Sequence, residues 1–259
     1  MKARPLESQF ALADVVAMPW DEQVLGFPVL DLSNFRLSEG ARVEQAAADL
    51  KSWLSRVDAG MVSCRLSEAS LKEGWALEAA GFRFIEMMIS PVSTRLAQAA
   101  LRHPKINIRL ADASDLDLLI AIASTAFGSE RFHQDPRIDR KAADQRYANW
   151  VEDSLSHATQ KLYCVTYDEM IVALFVTENR EPNAVYWHLT ALDPAKAGVG
   201  LGEQVWRAML DYHASMGATE VRTKIAVRNT VVMNLYAKLG FRFEHPEMTF
   251  HWMRSGEMC

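Results

Sequence analysis

Between residues 184 and 215 a strand-like run, AVYWHLTALD, gives way to the glycine-rich stretch AGVGLG and then to the amphipathic pattern EQVWRAMLDYH. This join constrains the fold most. A strand that feeds through such a loop into a helix has to bury the helix against a sheet, in layers. Gly198, Gly200 and Gly202 stand at alternate positions and leave the backbone unshielded where the helix begins. Successive N–H groups there can converge on an anion at the helix N-terminus. Dinucleotide and nucleoside-triphosphate sites use the same device, but their spacings are absent. G-x-G-x-x-G would need a glycine where Glu203 stands, and no Gly-Lys-Ser/Thr follows.

The rest of the chain alternates in the same way. Strand patterns at 28–37, 59–66 and 82–92 enclose helix patterns at 41–57 and 70–80, the second ended by Gly81. Residues 95–107 read as a connector, with Pro104 breaking any helix before a strand at 107–111. Helices at 112–127 and 139–158 follow, separated by a polar loop. Strands at 161–168, 170–179 and 184–193 come next, the first two joined by a tight hairpin at YDEM. After the glycine loop and its helix come strand EVRTKIAV, helix TVVMNLYAKL closed by Gly240, and strand FRFEHPEMTFHWM. The predicted class is α/β (α+β), a mixed sheet flanked by helices, divided into domains 1–104 and 105–259. LEAAGFRFIE at 77–86 echoes YAKLGFRFEH at 236–245, so the first domain reads as a degenerate half-copy of the second.

A chain of 259 residues can bury a full core. Its 49% hydrophobic and 24% charged residues are the balance of a globular protein. A net charge of −5 argues against broad binding to nucleic acid or anionic membranes. Cys64, Cys164 and Cys259 are far apart and odd in number, which predicts reduced thiols with neither disulfides nor a metal site. No apolar run approaches the ~20 residues of a membrane span. MKARPLESQF lacks the apolar core of a signal peptide, so a cytoplasmic location is expected.

The order LTALDP, AKAGVGLGEQVWRAML, strand, RNTVVMNLYAKLGFRF resembles the GNAT superfamily of acyl-CoA-dependent N-acyltransferases over roughly residues 105–254. The family loop reads Arg/Gln-x-x-Gly-x-Gly/Ala. Gly200 and Gly202 match its glycines, and Ala197 stands where Arg or Gln is usual. The resemblance implies a GNAT fold with acetyl-CoA or another short acyl-CoA as co-substrate. The amides of Ala197, Gly198, Val199, Gly200, Leu201 and Gly202 would hold the CoA pyrophosphate, with Lys196 as a compensating charge. Strand LTALD would splay from its neighbour and offer backbone groups around Leu192 to the pantetheine amides. Asn229 would bond near the same arm, and Tyr236 would protonate the leaving thiolate. In a helix, Tyr236 also reads as a half-buried core aromatic.

A narrower resemblance lies in MPWDEQVLGFPV at 18–29, AFGSERFHQDPRID with DQRYANWVEDS between 126 and 154, and MTFHWMR. These segments are similar to the dTDP-fucosamine acetyltransferase group, which implies a dTDP-linked aminodeoxysugar as acceptor. Arg131 and His133 suit a diphosphate, and Phe132, Tyr147 and Trp150 suit a base or sugar face. Tyr147, Trp150 and Val151 fit equally well as the buried stripe of a helix. For the general base, strand alternation puts His188 and Thr190 on one face, and Glu178 ends the neighbouring strand. A lone strand histidine is more often structural, and an amine of modest pKa needs no more than an ordered water. With no Cys–His or Ser–His pair evident, direct attack without a covalent enzyme intermediate is expected. The other readings are a GNAT acting on a protein N-terminus, small amine or antibiotic, and a non-catalytic acyl-CoA sensor. The expected partners are small molecules, with no nucleic acid and no membrane, and a homodimer is compatible with this reading.

Overall fold

The structure, a computed structural model, describes residues 5–96, 105–180 and 182–254. Cys259, Pro104 and the expected division at 104 lie outside the described residues. The chain forms two compact units, one of residues 5–88, Glu130–Ala143 and 245–254, the other of Ile89–Ser129 and Asp144–Glu244. The division therefore differs from a cut at 104, because segments from both later parts of the chain pack with the N-terminal one.

The first unit holds β1 (Leu6–Glu7), β2 (Ala11–Ala17), α1 (Pro19–Leu25), β3 (Val29–Leu37), α2 (Val43–Leu54), β4 (Met61–Ser67) and α3 (Leu71–Ala79). β5 (Arg83–Ser93) begins here and ends in the second unit. β2 is antiparallel to β3, while β4 runs parallel to β3 because α2 carries the chain back between them. α2 buries Ala46, Ala47, Leu50, Trp53 and Leu54, one helical stripe, against Leu32, Val62 and Leu77.

The second unit adds β6 (Ile106–Leu110), α4 (Leu116–Ala126), then, past the short α5 (Arg131–Gln134) of the first unit, α6 (Arg140–Ser154), which begins in the first unit and enters the second at Asp144. β7 (Gln160–Tyr167), β8 (Met170–Arg180), β9 (Ala184–Leu192), α7 (Leu201–Ser215), β10 (Glu220–Thr223), β11 (Ile225–Ala226) and α8 (Thr230–Lys238) follow. β12 (Arg242–Met253) leads back to the first unit and pairs antiparallel with β4. β6 to β9 are successively antiparallel, and β10 is parallel to β9 after the α7 crossover. α7 and α8 cover one face through Val205, Trp206, Met209 and Tyr236. α4 and α6 cover the other through Leu119, Ile122, Tyr147 and Val151. At the β7–β8 hairpin Asp168 and Glu169 both take left-handed φ, +52° and +66°, the two-residue turn that matches strand twist.

The sequence expectation left residues 5–27 without elements, and β2 and α1 are found there. It also ran strand 220–227 unbroken, whereas Lys224 interrupts it between β10 and β11. The sequence echo is structural. Gly81 (φ +102°) donates to Glu78 O and Phe82 to Leu77 O, as Gly240 (φ +78°) donates to Ala237 O and Phe241 to Tyr236 O. Both are the paired closing bonds of a helix ended by left-handed glycine. Each unit also contains an antiparallel pair, a helix crossover to a parallel strand, and a second helix.

Candidate active site

β9 and β10 pair over four rungs, Ala184–Trp187 against Glu220–Thr223, and then part. The last rung is locked by Thr223 Oγ1 donating to Trp187 O at 2.9 Å. Beyond it, β9 from Leu189 to Leu192 is paired with β8 but has no β10 partner. β9 then ends in a turn in which Ala195 N donates to Asp193 Oδ1 and Ala197 N to Pro194 O. Gly198 (φ +83°) and Gly200 (φ +78°) carry the chain into α7, with Gly200 at the N-cap position. Among the described residues no side chain caps this helix, and its first-turn N–H groups have no acceptor within the helix. A Cβ on Gly198 or Gly200 would meet nothing within 4 Å, so the backbone is open to an approaching group. Gly202 faces inward, where an added Cβ would lie 3.8 Å from Leu192 Cδ2. Ala197 and Val199 are exposed, Leu201 is buried and Lys196 is half-buried. Glu203 would bring an unwelcome charge to an anion site, but Arg207 holds it at 2.9 Å. Donor set and shape fit a pyrophosphate.

Tyr236 is fully buried at the inner side of the same region. Its hydroxyl accepts from Trp206 Nε1 at 3.3 Å and lies 3.5 Å from Thr190 Oγ1, on the unpaired length of β9. Burial raises its pKa against the hydrogen bonds from Thr190, Trp206 and Thr223, so the phenol stays protonated. A protonated phenol that already accepts one bond keeps its own hydrogen for a further acceptor.

The strand itself is not regular. Val176 pairs with Leu189 but Thr177 with Trp187, so His188 is an extra residue, a bulge on β9. Before the bulge Val185 and Trp187 pack with α7 and α8; after it Leu189 and Ala191 pack with α4 and α6. Simple alternation put His188 and Thr190 on one face, and the bulge corrects this. Thr190 lies with Tyr236, while His188 lies on the opposite face, its ring 6.0 Å from Trp150 and 4.8 Å from Tyr186. His188 Nε2 is 3.1 Å from Glu178 Oε2. The other oxygen of Glu178 accepts from Thr159 Oγ1 at 2.7 Å. Thr159, then His188 and Arg180, draw the Glu178 carboxyl down to about 2, against its burial. Burial lowers the His188 pKa more than Glu178 raises it, so the ring is neutral near pH 7.

Asn229 sits at the N-cap of α8 and its Oδ1 accepts from Val232 N at 3.2 Å, so that oxygen is committed to the helix. Arg131 and Phe132 belong to the first unit. Phe132 is fully buried in a cluster with Leu25, Val29, Met61 and Ile138 of the first unit, leaving no ring face for a ligand. Arg131 lies over that ring at 4.7 Å and pairs at 3.0 Å with the fully buried Asp21. Both expected substrate contacts are therefore core-building residues. Tyr147 is likewise buried, stacked on Phe127 at 4.7 Å, while Trp150 donates to Gln160 Oε1 at 3.1 Å. Trp206, the donor to Tyr236, went unnoticed in the sequence because it reads simply as part of the apolar stripe of α7.

Residues 124–241, a little under half the chain, match the family model of the acetyltransferase (GNAT) family. No curated protein matches the sequence. Among solved structures, a GCN5-related N-acetyltransferase from Sphaerobacter thermophilus superposes with a TM-score of 0.63 at 13% identity, over 94% of this chain and 76% of that one. A GCN5-related N-acetyltransferase from Kribbella flavida gives 0.59 at 13% identity, over 99% and 91%. A tandem GNAT protein from the clavulanic acid biosynthesis pathway gives 0.55 at 11% identity, over 88% and 76%. At these identities the likeness is one of fold. The family match covers the loop, the parting strands and Tyr236, and acyl-CoA is the co-substrate of that family. The segment that carries the site thus matches the GNAT acetyltransferase family, and the whole chain shares the fold of such proteins.

Proposed function

We propose that the chain acylates the amine of a nucleotide-linked aminodeoxysugar, with acetyl-CoA or another short acyl-CoA as donor. In this reading the amides of 198–202 and the α7 N-terminus hold the pyrophosphate, the expected Ala197 amide being already held by Pro194 O, and the backbone about Leu192 takes the pantetheine amides as an added strand would. Tyr236 gives its proton to the departing sulfur. The observation that carries the donor half is the parting of β9 from β10 after Trp187, with Tyr236 Oη beside Thr190 on the freed length. The acceptor half is supported by the sequence segments at 18–29 and 126–154 as a pattern, without Arg131 or Phe132 as contacts. Asn229 then orients α8 first and approaches the pantetheine through its remaining amide hydrogens.

Thiol release from acetyl-CoA, followed with a panel of dTDP- and UDP-aminosugars, simple amines and N-terminal peptides, tests this. Turnover confined to nucleotide aminosugars is the expected result. Turnover with peptides or simple amines alone would overturn the acceptor and leave the donor half intact.

A further inference from the structure

The mechanism above accounts for the sulfur's proton and leaves the amine's unassigned. Attack on a thioester needs a neutral nitrogen and ends with a proton to be removed from it. On β9 the bulge at His188 divides the strand's two faces just where it leaves β10: Thr190 and Tyr236 on the α7–α8 side, His188 on the α4–α6 side. A group lying in the gap between the strands is flanked by both faces. His188 is the residue at the bulge itself, and its side chain keeps 14% exposure. Bulges re-aim side chains in this way beside functional sites.

We propose that His188, oriented by Glu178, takes the proton from the acceptor nitrogen, on the face of β9 opposite Tyr236. This rests on the acyltransferase reading above. An ionised Glu178 accepts from Nε2–H, which leaves the lone pair on Nδ1. The nitrogen's lone pair forms the C–N bond at the thioester carbonyl, and its proton passes to Nδ1. The C–S bond then breaks with its electron pair on sulfur, which takes the proton of Tyr236. His188 returns its proton to solvent and Tyr236 regains one from it, so the cycle balances. The charged and titratable groups facing His188 are Glu178 and Arg180 from β8, Tyr186 from β9, His157 after α6, and Arg146, which lies over Trp150 at 5.3 Å. Thr159 and Arg180 both bond Glu178 and hold the carboxylate ionised and in place. Glu178 is a positioning residue, since it reaches the substrate through His188.

The test is the pH profile of kcat/KM in the intact chain, whose acidic limb reports the base of the free enzyme. His188→Gln is expected to lose ~10²–10⁴-fold in kcat, the usual worth of a positioned base, with KM for acyl-CoA unchanged and the acidic limb gone. Glu178→Gln removes the charge that raises the His188 pKa, so its limb moves to lower pH with a smaller rate loss. NMR titration of the His188 ring in the wild type should give the same pKa as the limb. A His188→Gln variant that keeps wild-type kcat and limb overturns the proposal while thiol release in the wild type still upholds the acyltransferase reading. Wild-type protein that releases thiol with no amine overturns both. Should His188→Gln not fold, an unmoved limb in Glu178→Gln, or a ring pKa that differs from the limb, overturns it as well.

Discussion

Tyr236 is a packed core residue to which the proposed function also gives the chemistry of the leaving thiolate. Its ring meets Phe241 edge-on at 4.7 Å and its hydroxyl takes the Trp206 N–H. Tyr236→Phe removes the oxygen alone and leaves Trp206 Nε1 without that acceptor, which typically costs ~1–3 kcal/mol. A moderately lower melting temperature and a kcat loss of at least ~10²-fold, with nearly unchanged KM for acyl-CoA, are expected together. Wild-type kcat measured where chemistry limits turnover would make Tyr236 a packing residue. Arg131 carries a different consequence. It pairs with the fully buried Asp21, and breaking a buried pair typically costs ~3–5 kcal/mol. Thermal denaturation of Arg131→Ala should show a large destabilisation; an unchanged melting temperature with a selective rise in KM for a nucleotide sugar would return Arg131 to the substrate. The motif NLYAKLGF made Tyr236 legible in the sequence, since a tyrosine just before a helix-closing glycine is a local pattern. Arg131 and Phe132 misled because spacing cannot say which side of a short helix faces the core. The His188–Glu178 pair depends on a bulge that the regular apolar–polar reading of AVYWHLTAL conceals.

The strand–loop–helix join is where elements decide function. Gly200 needs left-handed φ, which costs a residue with a Cβ ~1–2 kcal/mol, more for a β-branched one, although the space beside it is open. Gly200→Val should therefore re-aim the α7 N–H groups and abolish the rise in melting temperature given by acetyl-CoA. In the wild type that stabilisation approaches ~2.7 kcal/mol at a ligand concentration of 100 Kd. Calorimetry with desulfo-CoA gives the same comparison without turnover, and equal binding by Gly200→Val would remove the loop from the site. Most of the helices and strands were readable because helical stripes and strand runs are set locally. The turn YDEM and both glycine stops are also local, and the structure has each of them. The short α5 went unread because a one-turn helix has too few residues to show a period.

Across the molecule, buried histidines couple folding to pH. Burial pushes His213 down to about 4, with Lys161 adding to it, and burial also holds His251 low against the opposing pull of Asp135. Both fold in the neutral form, so their contribution is full above the unfolded value of ~6.5 and is lost as pH falls toward the folded one. For His213 the loss reaches about 3 kcal/mol. The melting temperature should drop between pH 7 and 4.5, less so in His213→Gln, and a midpoint independent of pH would contradict this. The two-unit division was half legible: the repeat of helix, glycine and strand announced a second copy, but only tertiary packing assigns residues 130–143 and 245–254 to the first unit. The central claim is that β9 beyond Trp187 and the loop into α7 hold acyl-CoA. Amide hydrogen exchange with and without desulfo-CoA reads those backbone groups one stretch at a time. Protection confined to 189–192 and 197–203 is the predicted result, and unchanged exchange there with protection elsewhere would contradict it.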